Sequence, residues 1–346
     1  MKITDETAFH KHLKEGSLLP VYLLCGKEQY LKKLYLERMI DQAVDDRSGF
    51  NFQKFDGKEL RVETLCDAVV SLPVFAGRKC VVVSDLDLEK RGSGEMDQLK
   101  ELLADLPDTT VLIFCYFGIE ADIKKNAKYK KLAAQVDKAG CVAELSPRTG
   151  SSLIKFIRDS AARAGCSMQP AAASYLVERC SGDMQALKNE IDKLCHYRPG
   201  GEITEADIDL LCSRAVQSSV FEISKAMLKN DYTRCMQILD DLFYMREQPV
   251  AILAVLSTVF IDLYRAAVAK KNGIPVTDLI GWYDYRGKDF RIKNAYRDCY
   301  KFKEAFLKGS LQLLLDADLR LKSSRADGRV VLEQLVTDLI MLRSQG

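Results

Sequence analysis

The residues best placed to do chemistry follow a short apolar run, in Leu24-Cys-Gly-Lys-Glu-Gln-Tyr30. A nucleotide-binding α/β domain carries G-x-x-x-x-G-K-[ST] at such a point, because closely approaching backbone N–H groups must cradle phosphates at a helix N-terminus. Here Gly26 stands alone, no Ser or Thr follows Lys27 to hold magnesium, and Glu28 brings a carboxylate toward the phosphate position. Nucleotide hydrolysis is not expected. Ser84-Asp-Leu-Asp87 occupies the place of a magnesium-binding carboxylate after an apolar strand. Without a phosphate loop there is no phosphate for a metal to bridge, so Asp85 and Asp87 are read as solvated strand-end residues. His10, His12 and His196 are read as surface residues, and no Ser/His/Asp or Cys/His arrangement can be argued from spacing. The 11 cysteines show neither C-x-x-C nor zinc spacing, and most, such as Cys66, Cys180 and Cys195, lie on apolar helical stripes as expected of reduced core residues. No cofactor and no metal are expected.

The elements around these residues alternate. After a first helix that Thr4 could cap, a strand over 20–25 feeds a helix over 28–44, and a strand over 50–56 precedes a helix over 62–70. Strands over 79–84, 109–116 and 141–145 are separated by helices over 95–106 and 123–139. Crossovers one helix long imply an α/β domain around a parallel sheet, and continuous apolar strands imply burial on both faces. Ser146-Pro-Arg-Thr-Gly150 reads as a linker. From Ser151 onward no strand is expected. Three short helices over 151–164, 170–180 and 183–197 form a small module, Thr204 with Asp207 opens another helix as a capping box, and long amphipathic helices follow from about residue 220. The segment 250–268 is apolar around most of its circumference, which suits either a subunit contact or a helix buried within one chain.

Two segments invite a partner. Ser71-Leu-Pro-Val-Phe-Ala-Gly-Arg78 is marked as a break by Pro73 and Gly77, yet it carries Leu72, Val74 and Phe75. These side chains either anchor the turn on the core or form a partner-binding plug. Gly281-Trp-Tyr-Asp-Tyr-Arg-Gly-Lys-Asp-Phe-Arg-Ile-Lys293 interleaves cations with aromatics, the combination that grips phosphate backbones and stacks on single-stranded bases. Phe290, Ile292, Tyr296, Cys299, Phe302 and Phe306 recur at helical spacing and are read as core, whereas Trp282 and Arg286 escape that stripe.

Composition sets the outer limits. A chain of 346 residues, 47% apolar and 29% charged, is long enough for two or three domains. With 51 Lys and Arg against 49 Asp and Glu the net charge is +2, so any basic surface is local. The polar N-terminus does not read as a signal peptide, no apolar run is expected to reach a membrane-spanning length, and a cytoplasmic protein is expected.

The succession Pro20-Val-Tyr-Leu-Leu-Cys-Gly-Lys-Glu28, Ser71-Leu-Pro-Val-Phe-Ala-Gly-Arg78 and Cys80-Val-Val-Val-Ser-Asp85 resembles the delta family of bacterial DNA polymerase III clamp loaders. Ser181-Gly-Asp-Met-Gln-Ala-Leu-Lys-Asn-Glu-Ile-Asp-Lys-Leu194 and Leu314-Leu-Asp-Ala-Asp-Leu-Arg-Leu-Lys-Ser-Ser324 extend the resemblance through the whole chain. It implies a degenerate AAA+ domain with a RecA-like parallel sheet over 1–146, a helical lid over 147–213 and a helical collar over 214–346. The collar would join the motor subunits (gamma or tau) and delta prime in a ring. Leu72, Val74 and Phe75 would enter a hydrophobic pocket on the sliding clamp (the beta subunit), with Phe75 the strongest contact; Val74 is smaller than the Leu common there. Such a chain is not itself an enzyme. The motor subunits use ATP, and delta holds the clamp with one interface open for loading onto primed DNA. Trp282 and Arg286 would then touch primer-template DNA in the assembled complex. Arg214, in a Ser-Arg pair like that of an arginine finger, falls beyond the lid helices and is read as structural. The alternatives are an active AAA+ ATPase with an atypical phosphate loop; delta prime, whose zinc cysteines and Ser-Arg-Cys in the first module are missing here; and a DNA-binding protein of another class, against which the near-neutral charge argues.

Overall fold

Runs of branched apolar residues without polar alternation need a sheet covered on both faces, and parallel strands need a long crossover between neighbours. Both demands are met in the first of two units, Met1–Pro147 and Arg148–Gly346. A computed structural model describes residues 2–3, 6–47, 49–212, 216–283, 285, 289–323 and 326–344. In chain order the first unit has β1 (Lys2–Ile3), α1 (Glu6–Lys14), β2 (Val21–Cys25), α2 (Gln29–Ala43), β3 (Phe52–Asp56), α3 (Val62–Val70), β4 (Lys79–Ser84), α4 (Ser93–Ala104), β5 (Thr110–Cys115), α5 (Ala127–Ala139) and β6 (Cys141–Glu144). Every pairing is parallel, in the order β1-β6-β2-β5-β4-β3. The central strands β2 and β5 are buried along their whole length. Val81, Val83, Leu112 and Phe114 of β4 and β5 share one apolar core with Leu65 and Val69 of α3. Because all strands run the same way, their C-terminal ends share one edge of the sheet. The entries to β3, β4 and β5 lie on the opposite edge.

The second unit is helical: α6 (Ser151–Arg163), α7 (Pro170–Arg179), α8 (Met184–Tyr197), α9 (Glu205–Leu211), α10 (Val216–Leu228), α11 (Tyr232–Tyr244), α12 (Pro249–Lys271), α13 (Val276–Trp282), α14 (Asp289–Asp298), a 3-10 turn (Cys299–Lys301), α15 (Glu304–Ser323) and α16 (Gly328–Ser344). The expectation of no strand beyond Ser151 is corrected by β7 (Ser167–Met168) and β8 (Glu202–Ile203), a parallel pair of two-residue strands. Two residues offer no alternation to detect. The stripe read from helical spacing between Phe290 and Phe306 runs through α14, the 3-10 turn and the start of α15. Ile292, Cys299, Phe302 and Phe306 are buried, as the spacing implies.

By length and composition α12 could cross a membrane, contrary to the expectation that no segment would: it has 23 residues, with a mean hydropathy of 1.8 over its most apolar window. Its Ile252, Leu253, Leu256, Phe260, Leu263 and Ala266 are buried in the core of the second unit. The chain's own helices thus bury 44% of that apolar window. All 11 cysteines are free thiols; ten are buried and Cys66 is half-buried.

Thr204 and Asp207 form the reciprocal cap expected of them. The Asp207 carboxylate accepts from the Thr204 backbone N–H at 2.9 Å and from its hydroxyl at 2.8 Å, and Arg198 Nε donates to it at 2.9 Å. The Thr204 backbone bond, then the Arg198 guanidinium, hold the Asp207 pKa below its ordinary 3.8. A depressed carboxylate pKa stabilises the fold fully above the unfolded value, and this stabilisation is lost as pH falls through the folded one. Asp207→Asn is expected to lower the thermal midpoint at pH 7, with the gap to wild type closing as the pH drops below about 3.8. A gap that stays constant in acid would count against the cap as described.

Candidate functional site

Open α/β sheets bind ligands beyond the C-terminal ends of their strands. In this chain that edge is occupied by the protein itself. The Glu28 carboxylate turns back to accept from the Tyr30 N–H at 3.0 Å, capping α2 where a phosphate would sit. The Glu28 N–H donates to the Leu145 carbonyl at 3.1 Å. Gly26, at φ +102°, lies so close that a Cβ there would meet the Leu145 carbonyl oxygen at 2.3 Å. Gln29 Nε2 donates to the Phe117 carbonyl at 2.9 Å, and the buried Lys32 ammonium donates to the Tyr116 carbonyl. Burial pushes the Lys32 pKa down.

Asp85 is not the solvated residue expected from the sequence. Its Oδ1 accepts from the backbone N–H groups of Phe117, Gly118 and Ile119 at 2.8, 2.8 and 3.0 Å, and its backbone is left-handed, at φ 56°. A carboxylate in the position of a metal ligand thus pins the loop after β5. Asp87 is also half-buried and accepts from the Glu89 N–H at 3.1 Å. Among the histidines, His196 is exposed as expected, but His12 is not a free surface residue. Its Nε2 lies 2.9 Å from the Tyr22 hydroxyl, which also accepts from the Leu19 N–H at 2.8 Å, and burial raises the Tyr22 pKa to about 12. His10 is half-buried, with Nδ1 3.2 Å from Arg38 Nη1. Among the described residues no group of three or more His, Cys, Asp or Glu could hold a metal ion.

The opposite edge is apolar and open. Leu72, Val74 and Phe75 lie on the connection from α3 to β4 and are 78%, 44% and 108% exposed. They do not anchor the turn on the core. Val70, the last residue of α3, and Phe50, just ahead of β3, are exposed as well, though their spacing marks them only as element ends. Phe75 has φ 51°, a conformation that a bulky L-residue holds only where its surroundings over-determine it.

The supports of this tip are polar and buried. Lys79, the first residue of β4, directs its ammonium inward to the Ala68 carbonyl at 2.6 Å, the Ser71 hydroxyl at 2.7 Å and the Ser71 carbonyl. The Thr110 hydroxyl donates to the Val69 carbonyl at 2.9 Å. Two strands thereby satisfy carbonyls at the C-terminus of α3, which an unaided helix end leaves orphaned. Burial pushes the Lys79 pKa down. On the other side the Asn51 carboxamide pairs with the Val74 backbone. The result is an apolar projection on a hydrogen-bonded base.

In the second unit Trp282 ends α13 and is 62% exposed. Within the surrounding basic and aromatic stretch, Tyr285 and Arg291 turn toward Asp262, whereas Tyr283 and Lys293 are exposed. Tyr285 is buried and donates to Asp262 Oδ1 at 2.5 Å, while Arg291 donates to Asp262 Oδ2 at 2.7 Å. Burial, then the bond to Asp262, raises the Tyr285 pKa to about 12. The Arg265 guanidinium stacks 3.7 Å above the Tyr283 ring. Arg286, with Arg214 and the proposed Thr4 cap, lies outside the described residues.

Comparison with known proteins gives one answer from three directions. Residues 22–144 match the family described as DNA polymerase III, delta subunit, and residues 217–339 match the DNA polymerase III delta subunit, C-terminal domain. The chain is 25% identical over 335 residues to DNA polymerase III subunit delta of Bacillus subtilis (strain 168), covering 95% of each. It is 22% identical over 273 residues to the probable DNA polymerase III subunit delta of Aquifex aeolicus (strain VF5), covering 78% of this chain and 75% of that one. Among solved structures, the Bacillus subtilis DNA clamp loader delta protein superposes with a TM-score of 0.69 at 22% identity, over 97% of this chain and 99% of that one. The fold is therefore that of clamp-loader delta proteins: an AAA+-like α/β domain with a parallel sheet, followed by a helical region.

Proposed function

Since the chain belongs to the DNA polymerase III delta subunit family, we propose that it is the clamp-opening member of its loader, gripping the sliding clamp through Leu72, Val74 and Phe75. The observation that carries this reading is the solvent-exposed, strained tip held on a buried polar base. Fully burying one such side chain stabilises a complex by about 1.5 to 3 kcal/mol, so two or three adjacent ones suffice for a specific contact. Opening then follows from differential affinity. A protein that binds the open clamp more tightly than the closed one shifts the population toward open, and only by the ratio of the two affinities.

This chain has no catalytic step of its own in that scheme. The cap on α2 and the Leu145 carbonyl stand where phosphates would, which disfavours an active ATPase; the motor subunits (gamma or tau) supply hydrolysis. Residues 147–213 act as the lid and 214–346 as the collar that joins the motor subunits and delta prime. Supporting that division, the apolar core running from Val220 to Leu339 draws on α10 to α16 without α6 to α9. The setting is cytoplasmic.

Trp282, with Arg286, is the contact of the collar with primer-template DNA. Trp282→Ala is expected to weaken DNA binding by the assembled loader about fivefold or more, as loss of one stacked base does. Unchanged binding at several salt concentrations would remove Trp282 from the interface. The reading as a whole is tested by titrating the purified chain against the sliding clamp of the same organism without nucleotide. Saturable submicromolar binding is expected, and its absence would leave only a degenerate AAA+ module with another partner.

A further inference from the structure

The apolar tip has a neighbour on its edge of the sheet. Phe50, in the turn leading into β3, is 83% exposed. The next residue holds the tip: Asn51 Oδ1 accepts from the Val74 N–H at 2.7 Å, and Asn51 Nδ2 donates to the Val74 carbonyl at 2.8 Å. A single planar amide thus satisfies both backbone groups of Val74, much as a neighbouring strand would. The clasp is itself fixed, because the Asn51 carbonyl accepts from the Cys80 N–H at 2.8 Å where β4 begins. It acts on the residue immediately before Phe75, whose left-handed backbone needs such a constraint to persist.

We propose that the turn at residues 49–51 is a second limb of the clamp-binding element, with Asn51 a positioning residue for Phe75 and Phe50 an additional contact with the clamp. This inference rests on the reading of the tip given above. Two lines of chemistry support it. A large apolar side chain left in water beside other exposed apolar side chains marks an interaction surface more than a lone exposed one does. A loop held in its bound conformation before the encounter loses less conformational freedom on binding, so a clasp on the tip raises affinity without touching the partner.

The two roles predict different behaviour in combination with Phe75. The full chain and its cognate sliding clamp are titrated for wild type, Phe50→Ala, Asn51→Ala, Asn51→Asp, Phe75→Ala, the two pairings of Phe50→Ala and Asn51→Ala with Phe75→Ala, and Leu72→Ala/Phe75→Ala, each with its thermal midpoint. Phe50→Ala is expected to weaken binding roughly tenfold, and to do so equally in the Phe75→Ala background, as an independent contact does. Asn51→Ala is expected to cost roughly tenfold alone and little once Phe75 is gone, because it acts through that side chain. Asn51→Asp keeps the acceptor for the Val74 N–H but turns a carboxylate oxygen on the Val74 carbonyl, so it should not restore the loss. If Phe50→Ala and Asn51→Ala bind as wild type does while Leu72→Ala/Phe75→Ala has lost binding, the second limb is wrong and the tip stands. An Asn51→Ala loss of the same size in both backgrounds would overturn the positioning role. No binding by wild type would overturn the clamp reading, and this inference with it.

Discussion

Replacing Leu72 and Phe75 together by alanine is expected to weaken binding to the sliding clamp by roughly 10²- to 10⁴-fold, with the thermal midpoint of the chain unchanged. Each side chain, if buried in a pocket on the partner, contributes about 1.5 to 3 kcal/mol, and about 1.4 kcal/mol is a factor of ten. Stability is spared because both side chains stand in water in the free chain, 78% and 108% exposed, so truncation leaves no cavity. Phe75→Gly sharpens the test. Glycine adopts a positive φ without steric cost, so this variant should match or exceed wild type in stability while losing much of the binding. A double variant that unfolds, or one that binds normally, would each contradict the tip as drawn.

The second large effect lies at the opposite edge of the sheet. Gly26→Ala is expected to destabilise the chain by ~3 kcal/mol or more, from backbone strain together with overpacking. The added methyl would sit 2.3 Å from the Leu145 carbonyl oxygen and 2.7 Å from its nitrogen, both main-chain atoms of the segment that follows β6. Neither can rotate away, and the left-handed φ of +102° adds its own cost. For a unit of this size that is roughly a 10 °C fall in the midpoint. If Gly26→Ala melted with wild type, the turn would not be packed against its own chain, and the case against a phosphate in that seat would lose its main support.

What the sequence made legible follows from how local each signal is. The bounds of α3 and β4 were readable because an amphipathic run and an unbroken apolar run each announce themselves within ten residues. The tip was readable as a break from Pro73 and Gly77, but the sequence left open whether Leu72 and Phe75 turned inward. What was not legible depends on which strands are neighbours. Asn51 meets Val74 across 23 residues only because β3 and β4 pair in parallel. Asp85 finds the Phe117 to Ile119 backbone only because β4 adjoins β5. Single-sequence spacing gives neither adjacency. For the same reason a carboxylate that looked solvated at a strand end proved to be a loop anchor, and His12 proved to be tied to Tyr22. The two-residue strands β7 and β8 are too short to carry any period, whereas the Thr204 and Asp207 cap, three residues apart, was visible from the start.

The most direct test of the central claim separates gripping the clamp from opening it. Sliding clamps are loaded onto nicked circular DNA, the purified chain is added without nucleotide, and the rate at which clamps leave the circle is followed. Wild type is expected to accelerate release in proportion to clamp occupancy, and Leu72→Ala/Phe75→Ala to leave the spontaneous rate unchanged. Tight binding by wild type with no acceleration of release would contradict the account, since the chain would then hold the clamp without favouring its open form.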